Sequence, residues 1–375
     1  MAGIRELARE CGVSVATVSR ALNGHPEVSD ATRRQVQEAA ARIGYRPSQS
    51  ARALVRGRSD TVGLLWDTAY EVSGRRHPFL LALLMGIKRA LSASGRHMLL
   101  LNVDDHRSDD RAYLDVALQH QLDGVVMMGV DDQHPAIRTL YNSGFPCVAL
   151  DLPIEGPRAT YVTSDNYAGA AEAVHYLHGL GHREIATITG PVDLLPAAQR
   201  LAGYMDAIRE LGMTTRPEYV EAGDFFIDSG YACAKRLAAL PNRPTAVFVA
   251  GDEMAIGAMH ALNDAGVSIP GDMAVIGFDD IEAASLVRPA LTTIAQDPIA
   301  LGAAAVEALL TFLDAQAPQA PQVSATSESS GTSGASASDF APRTVPTRLV
   351  RRESCTAKPE SSLAVYERQA SASAS

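Results

Sequence analysis

No run of about 18 uncharged apolar residues occurs along the 375 residues, so no membrane-spanning helix is expected. The opening residues, Met1 to Glu6, place a carboxylate where a secretory signal needs an apolar core, which points to a cytoplasmic protein. Cysteine is scarce. Cys11, Cys147, Cys233 and Cys355 lie far apart and form no C-x-x-C, so buried free thiols are expected rather than a disulfide framework or a zinc site. Catalytic signatures are missing as well. No G-x-S-x-G, H-E-x-x-H, phosphate-binding loop or dinucleotide fingerprint follows a predicted strand, and the many Asp and His residues show no site-forming spacing. Neither enzymatic activity nor a cofactor or metal is expected.

What is present is an uneven distribution of charge. The chain carries a formal net charge of -10, yet residues 1–60 hold ten Arg, no Lys and six Asp or Glu, a net of +4 against -14 for the remainder. A basic head on an acidic body is the asymmetry expected when only the head meets phosphates.

Helical spacing dominates that head. Ile4, Leu7, Ala8 and Cys11 recur at i, i+3, i+4 and i+7, and Gly12 ends the run. Ser14 can cap a second helix, Val15 to Leu22, stopped by Asn23-Gly24. Ser29 can cap a third, with Val36, Ala39, Ala40 and Ile43 inward and Gly44 at its end. Three short helices with a tight turn between the first two make a helix-turn-helix candidate. Arg46-Pro47 forces an extended step, and a short segment capped by Ser48 leads to a Gly57-Arg58-Ser59 linker.

From Thr61 the pattern changes. Thr61–Trp66, His97–Val103, Gly124–Gly129 and Pro146–Leu150 read as buried strands, with helices at about 78–94, 109–120 and 135–143 between them. A second series follows, with strands Glu184–Thr189, Thr245–Ala250 and Met273–Phe278 and helices 198–211, 228–239 and 252–265. Alternation at this period predicts doubly wound parallel sheets in two lobes, with ligands at the carboxyl ends of the strands. Val345–Val350 reads as one more strand. Residues 315–338 are rich in Ser, Ala, Gly, Thr, Pro and Gln and are expected to be a disordered insertion, and 356–375 a disordered tail.

The run Gly12 to Asn23 closely resembles the helix-turn-helix of the lac/gal repressor family of bacterial transcription regulators. Gly44 to Pro47 and the hinge-like Ser48 to Leu54 resemble it too, as do Arg58–Leu65, Gly181–Arg183, Arg200–Tyr204, Gly277–Asp280, Pro289–Ile294 and Pro346–Ser354, in the family's order. The resemblance runs from residue 4 to about 355, interrupted by the insertion. It implies an all-α helix-turn-helix domain over 1–46, a hinge helix and linker over 47–58, and a two-lobed α/β core over 59–355 like that of periplasmic binding proteins. Lobe 1 would span about 61–162 plus 292–314, and lobe 2 about 163–291 plus 340–355.

The resemblance also implies roles. Val15, Ala16 and Arg20 would read bases in the major groove, Arg20 by two hydrogen bonds to guanine, while Ser14, Thr17 and Ser19 would bond phosphates. The competing reading of Val15 is core packing. Ser50, Ala51 and Leu54 would enter the minor groove, Leu54 as a wedge that kinks DNA, unless it packs against the core. Two heads would make a homodimer on a pseudo-palindromic operator. Phe79, Asp165, Arg200, Phe225 and Asp279 would line an effector cleft suited to a carbohydrate. The alternatives are an interlobe salt bridge or cap for Arg200 and Asp279, and plain core for Phe79 and Phe225. Gly251 stands where many sugar-binding members have Asn, and Leu194 where the purine-responsive member has a guanine-reading arginine. The implied function is a repressor under small-molecule control in the bacterial nucleoid; the rival is a solute-binding protein with the same core.

Overall fold

The computed structural model describes residues 3–22, 25–45, 58–66, 78–101, 110–129, 134–315 and 340–355, which fall into two compact units, Met1–Thr61 and Val62–Ser375. Ser50, Ala51 and Leu54 lie outside the described residues, as do nearly all of 315–338 and the whole of 356–375.

In the first unit, α1 (Ile4–Cys11), α2 (Val15–Leu22) and α3 (Asp30–Ile43) bury Leu7, Cys11, Val18, Ala21, Val36 and Ala39 against one another. Gly12 and Gly44 close α1 and α3 at φ 64° and 68°, the left-handed region that glycine enters without steric cost. Ser14 Oγ and Ser29 Oγ accept the N–H groups of Thr17 and Thr32 at 3.1 and 3.2 Å, capping α2 and α3. Gly3 begins α1 without a side-chain cap. Arg42 pairs with Glu10 at 3.1 Å between α3 and α1.

The second unit is α/β. Its strands are β1 (Thr61–Trp66), β2 (His97–Leu101), β3 (Gly124–Met128), β4 (Cys147–Leu150), β5 (Ala159–Ser164), β6 (Ile185–Thr189), β7 (Val220–Ala222), β8 (Ala246–Val249), β9 (Ala274–Asp279), β10 (Thr292–Ala295), β11 (Arg343–Val345) and β12 (Arg348–Val350). The helices are α4 (Pro78–Ala93), α5 (Ala112–Gln119), α6 (Pro135–Asn142), α7 (Asn166–Gly179), α8 (Leu195–Glu210), α9 (Ile227–Ala238), α10 (Asp252–Asp264), α11 (Glu282–Leu286) and α12 (Pro298–Asp314). One sheet has the order β11-β5-β4-β3-β1-β2 and the other β12-β10-β9-β8-β6-β7. Every residue of β3, β4, β6, β8 and β9 is buried, as parallel strands covered on both faces require. All four cysteines are buried, and burial pushes the Cys147 and Cys355 thiols up to about 12, so both are inert. Among the described residues, no helix is long and apolar enough to cross a membrane.

Two expectations need correction. Val345–Val350 is two strands in different sheets: β11 runs parallel to β5, and β12 antiparallel to β10. Pro346 lacks an N–H and breaks the ladder between them. Residues 292–314 also divide, because β10 pairs with β9 in the second sheet while α12 packs with α4 on the first. The chain therefore crosses between lobes three times, after Ser164, after Ala295 and after Val345. The first and third crossings are tied together: Asp165 N–H donates to Val345 O at 2.8 Å, and Thr347 Oγ1 donates to Asp165 O at 3.3 Å.

The helix pairs beside the sheets meet backbone to backbone. A Cβ on Gly257 would lie 2.0 Å from Ile227 O, and one on Gly230 would lie 2.1 Å from Met254 O, so α9 and α10 touch with no room for a methyl group. Gly86 and Gly302 do the same for α4 and α12, and Gly203 for α8 against α7. Gly257→Ala should destabilise the second unit by about 3 kcal/mol, since overpacking against fixed backbone cannot relax. Urea unfolding should show a lower midpoint at unchanged slope.

Candidate functional site

The first candidate surface belongs to the N-terminal unit. In α2, Val18 and Ala21 pack inward, which leaves Ala16 and Arg20, one turn apart, exposed together with Val15. Val15 is 41% exposed, so the core reading of this residue fails, whereas Val18 is fully buried. Arg20 reaches Glu27 at 3.7 Å, with both side chains largely in solvent. Such a pair is worth little and leaves the guanidinium available. Ser14 Oγ and Thr17 Oγ1 are 2.9 Å apart, so these hydroxyls act together at the start of the helix. Helix α2 thus offers a fork of donors between small apolar side chains, which can meet base edges in a major groove.

The second candidate surface is built at the carboxyl ends of parallel strands in the second unit. Asp151 follows β4, Asn166 follows β5 by one residue, Gly190 follows β6, Asp279 ends β9 and Gln296 follows β10. Arg200, 4% exposed on α8, reaches into this group. Its Nε donates to Asn166 Oδ1 at 2.8 Å, and its Nη1 donates to Ala250 O at 2.6 Å and lies 3.5 Å from Asp279 Oδ1. The guanidinium sits over the Phe278 ring at 3.7 Å from its centroid, with the Phe225 ring at 5.9 Å. Burial pulls the Arg200 pKa down; the charges of Asp279, Asp151 and Asp252 oppose that pull.

The carboxylates around it differ in use. Asp279 Oδ1 accepts Gln296 Nε2 at 2.7 Å. Asp151 Oδ1 accepts Thr163 Oγ1 at 2.6 Å, and burial raises its pKa. Asp252 is wholly buried. Its Oδ1 accepts Thr293 Oγ1 at 2.6 Å and its Oδ2 accepts Ile281 N–H at 3.0 Å, so it clamps α10 to β10 and to the start of α11. Burial and then the Asp279 charge raise its pKa well above the ordinary carboxylate value. Two buried polar atoms here have no partner among the described residues, Gln296 Oε1 and Ser164 Oγ.

Phe225 has φ 71°, an uncommon backbone for a bulky side chain and a form of strain that gathers at functional sites. Its ring covers Gly190 and Gly251. A Cβ on Gly190 would lie 2.2 Å from Phe225 Cζ, and one on Gly251 would lie 3.3 Å from Phe225 Cδ1. The glycine at 251 therefore goes with the aromatic at 225: an Asn there would compete with the ring for space.

The structure brings Arg200, Asp279 and Phe225 together. Phe79 lies in the first lobe's core beside Leu83 and Ile87. Asp165 caps α7, its Oδ1 accepting Ala168 N–H at 3.0 Å. The Arg200–Asp279 pair lies within the second lobe rather than between lobes. Asp151, Asn166, Asp252 and Gln296 were missed, although the rule that ligands sit beyond strand carboxyl ends points at three of them.

Comparison with known proteins gives two family models. One, for bacterial regulatory proteins of the lacI family, matches residues 3–48, and one, for a periplasmic binding protein-like domain, matches residues 174–333. The ribose operon repressor of Escherichia coli (strain K12) is 34% identical over 312 residues, covering 83% of this chain and 92% of that protein. Among solved structures, a transcriptional regulator CelR–cellobiose complex aligns with 30% identity and TM-score 0.67, covering 95% of this chain and all of that one. The lac repressor dimer bound to operator and the anti-inducer ONPF aligns with 27% identity and TM-score 0.76, covering 95% and 99%.

Proposed function

The chain belongs to the lacI family of bacterial regulatory proteins, and from that premise we propose that it represses transcription as a homodimer on a pseudo-palindromic operator, released or recruited by a carbohydrate in the core cleft. One observation carries the reading: α2 buries Val18 and Ala21 and presents Val15, Ala16 and Arg20 outward on a compact three-helix unit. The family consists of regulators rather than enzymes.

Arg20 reads guanine in each half-site, Val15 and Ala16 meet thymine methyl groups, and Ser14, Thr17 and Ser19 bond phosphates. Ser50, Ala51 and Leu54 supply the minor-groove hinge. Arg200 and Asp279 bond ligand hydroxyls, and Phe225 covers an apolar ring face. Acting on the chromosome places the protein in the cytoplasm. The regulatory mechanism is linkage: ligand shifts the DNA-binding equilibrium by its differential affinity for two states of the core. The solute-binding rival gives no role to the exposed face of α2.

Selection of genomic fragments by purified protein should return a palindromic consensus, with affinity falling steeply as salt rises. No preference over random competitor, with and without candidate sugars, would overturn the proposal. Leu54→Ala should reduce operator affinity and bending, followed by fluorescence transfer between duplex ends, and leave sugar affinity unchanged.

A further inference from the structure

A carboxylate beside Arg20 bears on how the DNA-binding head selects sequence, given the reading of α2 as the base-reading helix. Glu27 Oε2 lies 3.7 Å from Arg20 Nη1 and 3.8 Å from His25 Nδ1. Glu27 stands in the turn between α2 and α3, and that turn is braced on both sides. His25 N–H donates to Arg20 O at 3.0 Å, and Val28 N–H donates to His25 O at 3.2 Å. From α3, Arg33 Nη2 donates to His25 O at 3.2 Å and to Val28 O at 3.4 Å. Val28 is buried in the three-helix core, and Ser29 caps α3. Pro26 fixes one more backbone angle. The backbone that carries Glu27 is therefore held against α2, while its side chain stays 66% exposed.

An exposed ion pair of this kind contributes little to folding. At a DNA surface its weight changes. The Arg20 side chain has several rotatable bonds, and few of its orientations present two donors to guanine O6 and N7. As α2 enters the groove, water leaves the pair and the attraction between Arg20 and Glu27 strengthens. A guanidinium has five N–H donors, so one can go to Glu27 and two to the base. On other sequences the carboxylate acts in the opposite sense. Beside a cation that reads bases, it also stands near the phosphates flanking the groove and repels them. Where no guanine takes the fork, nothing offsets that repulsion.

We propose that Glu27 determines specificity in the DNA-binding head: it positions the Arg20 fork for guanine and, through its charge, weakens binding to duplexes that lack that base. It is a positioning residue that acts through Arg20 and reads no base of its own.

The test is fluorescence anisotropy of the full-length protein at fixed salt with duplexes of equal length: the operator returned by genomic selection, that operator with each half-site guanine replaced in turn, and a random sequence. Glu27→Gln should tighten binding to the random duplex about threefold and lower discrimination at the guanine read by Arg20 about tenfold. Glu27→Asp keeps the charge and shortens the reach, so it should lower discrimination and leave random-duplex affinity unchanged. In an Arg20→Ala background, Glu27→Gln should no longer alter discrimination at any position. Circular dichroism should be the same for all variants. Equal tightening on every duplex would make Glu27 a plain repulsive charge, and weakening on every duplex would make it structural. Discrimination that still changes without Arg20 would make it a base reader itself. Each of these results overturns the inference and leaves the reading of α2 standing. Full discrimination at every guanine in Arg20→Ala alone would overturn the reading of Arg20, and the inference with it.

Discussion

Arg200→Met should abolish the response to effector and destabilise the second unit by about 3–5 kcal/mol, the usual cost of removing one partner from a buried charge cluster. The side chain is 4% exposed and makes donor contacts that no apolar group replaces. Its loss leaves Asp279, Asp151 and Asp252 without their shared cation. It also strips Asn166 Oδ1 and the Ala250 carbonyl of a donor, and each unsatisfied buried group adds its own penalty. Arg200→Lys keeps the charge and loses the planar fork that stacks on Phe278, so it should fall between wild type and Met. Urea midpoints and calorimetric titration with a binding sugar would measure both effects. Operator binding should survive under conditions where the variant is folded, because α1 to α3 have their own core. Wild-type sugar affinity in Arg200→Met would remove this residue from the effector site.

Arg20→Ala should cost about 1–3 kcal/mol of base discrimination per half-site, hence about 2–6 kcal/mol for a dimer on two half-sites, or roughly 30-fold to 20,000-fold in operator preference. Folding stability should change by less than about 0.5 kcal/mol, because Arg20 is exposed and its pairing with Glu27 is solvated. The readout is competition between the selected operator and versions altered at single positions. Loss confined to one guanine per half-site supports base reading. Uniform weakening on every duplex, with a shallower salt slope, would make Arg20 a phosphate contact.

Where side-chain pattern and backbone chemistry agreed, the structure was legible in advance. The three N-terminal helices, their Ser14 and Ser29 caps and the glycine stops at 12 and 44 follow from local rules, and so do the fully apolar central strands. Helix α7 was not legible. Its buried side is Asn166, Gly169, Ala170, Ala173, Val174 and Leu177, small residues that let α8 approach, and they give little contrast with its exposed side. Helix α12 hid for the opposite reason, being apolar around most of its surface because the first sheet and α4 both cover it. The division of Val345–Val350 between two sheets depends on partners more than 50 residues away, to which local alternation is blind. In the cleft, Arg200 and Asp279 emerged from the resemblance. Asp151, Asn166 and Gln296 required knowing which strand ends meet.

The return of the chain at Phe340 has a practical reach. Its ring stacks on Phe312 of α12 with centroids 4.8 Å apart, and Arg343 then pairs with Glu307 at 3.1 Å, so the segment between α12 and β11 leaves and rejoins the first lobe at one spot. Closing a loop between fixed ends grows more expensive only with the logarithm of its length. That junction is accordingly a port: a fluorescent reporter spliced there would ride on the repressor while every strand register in both sheets stays as it is.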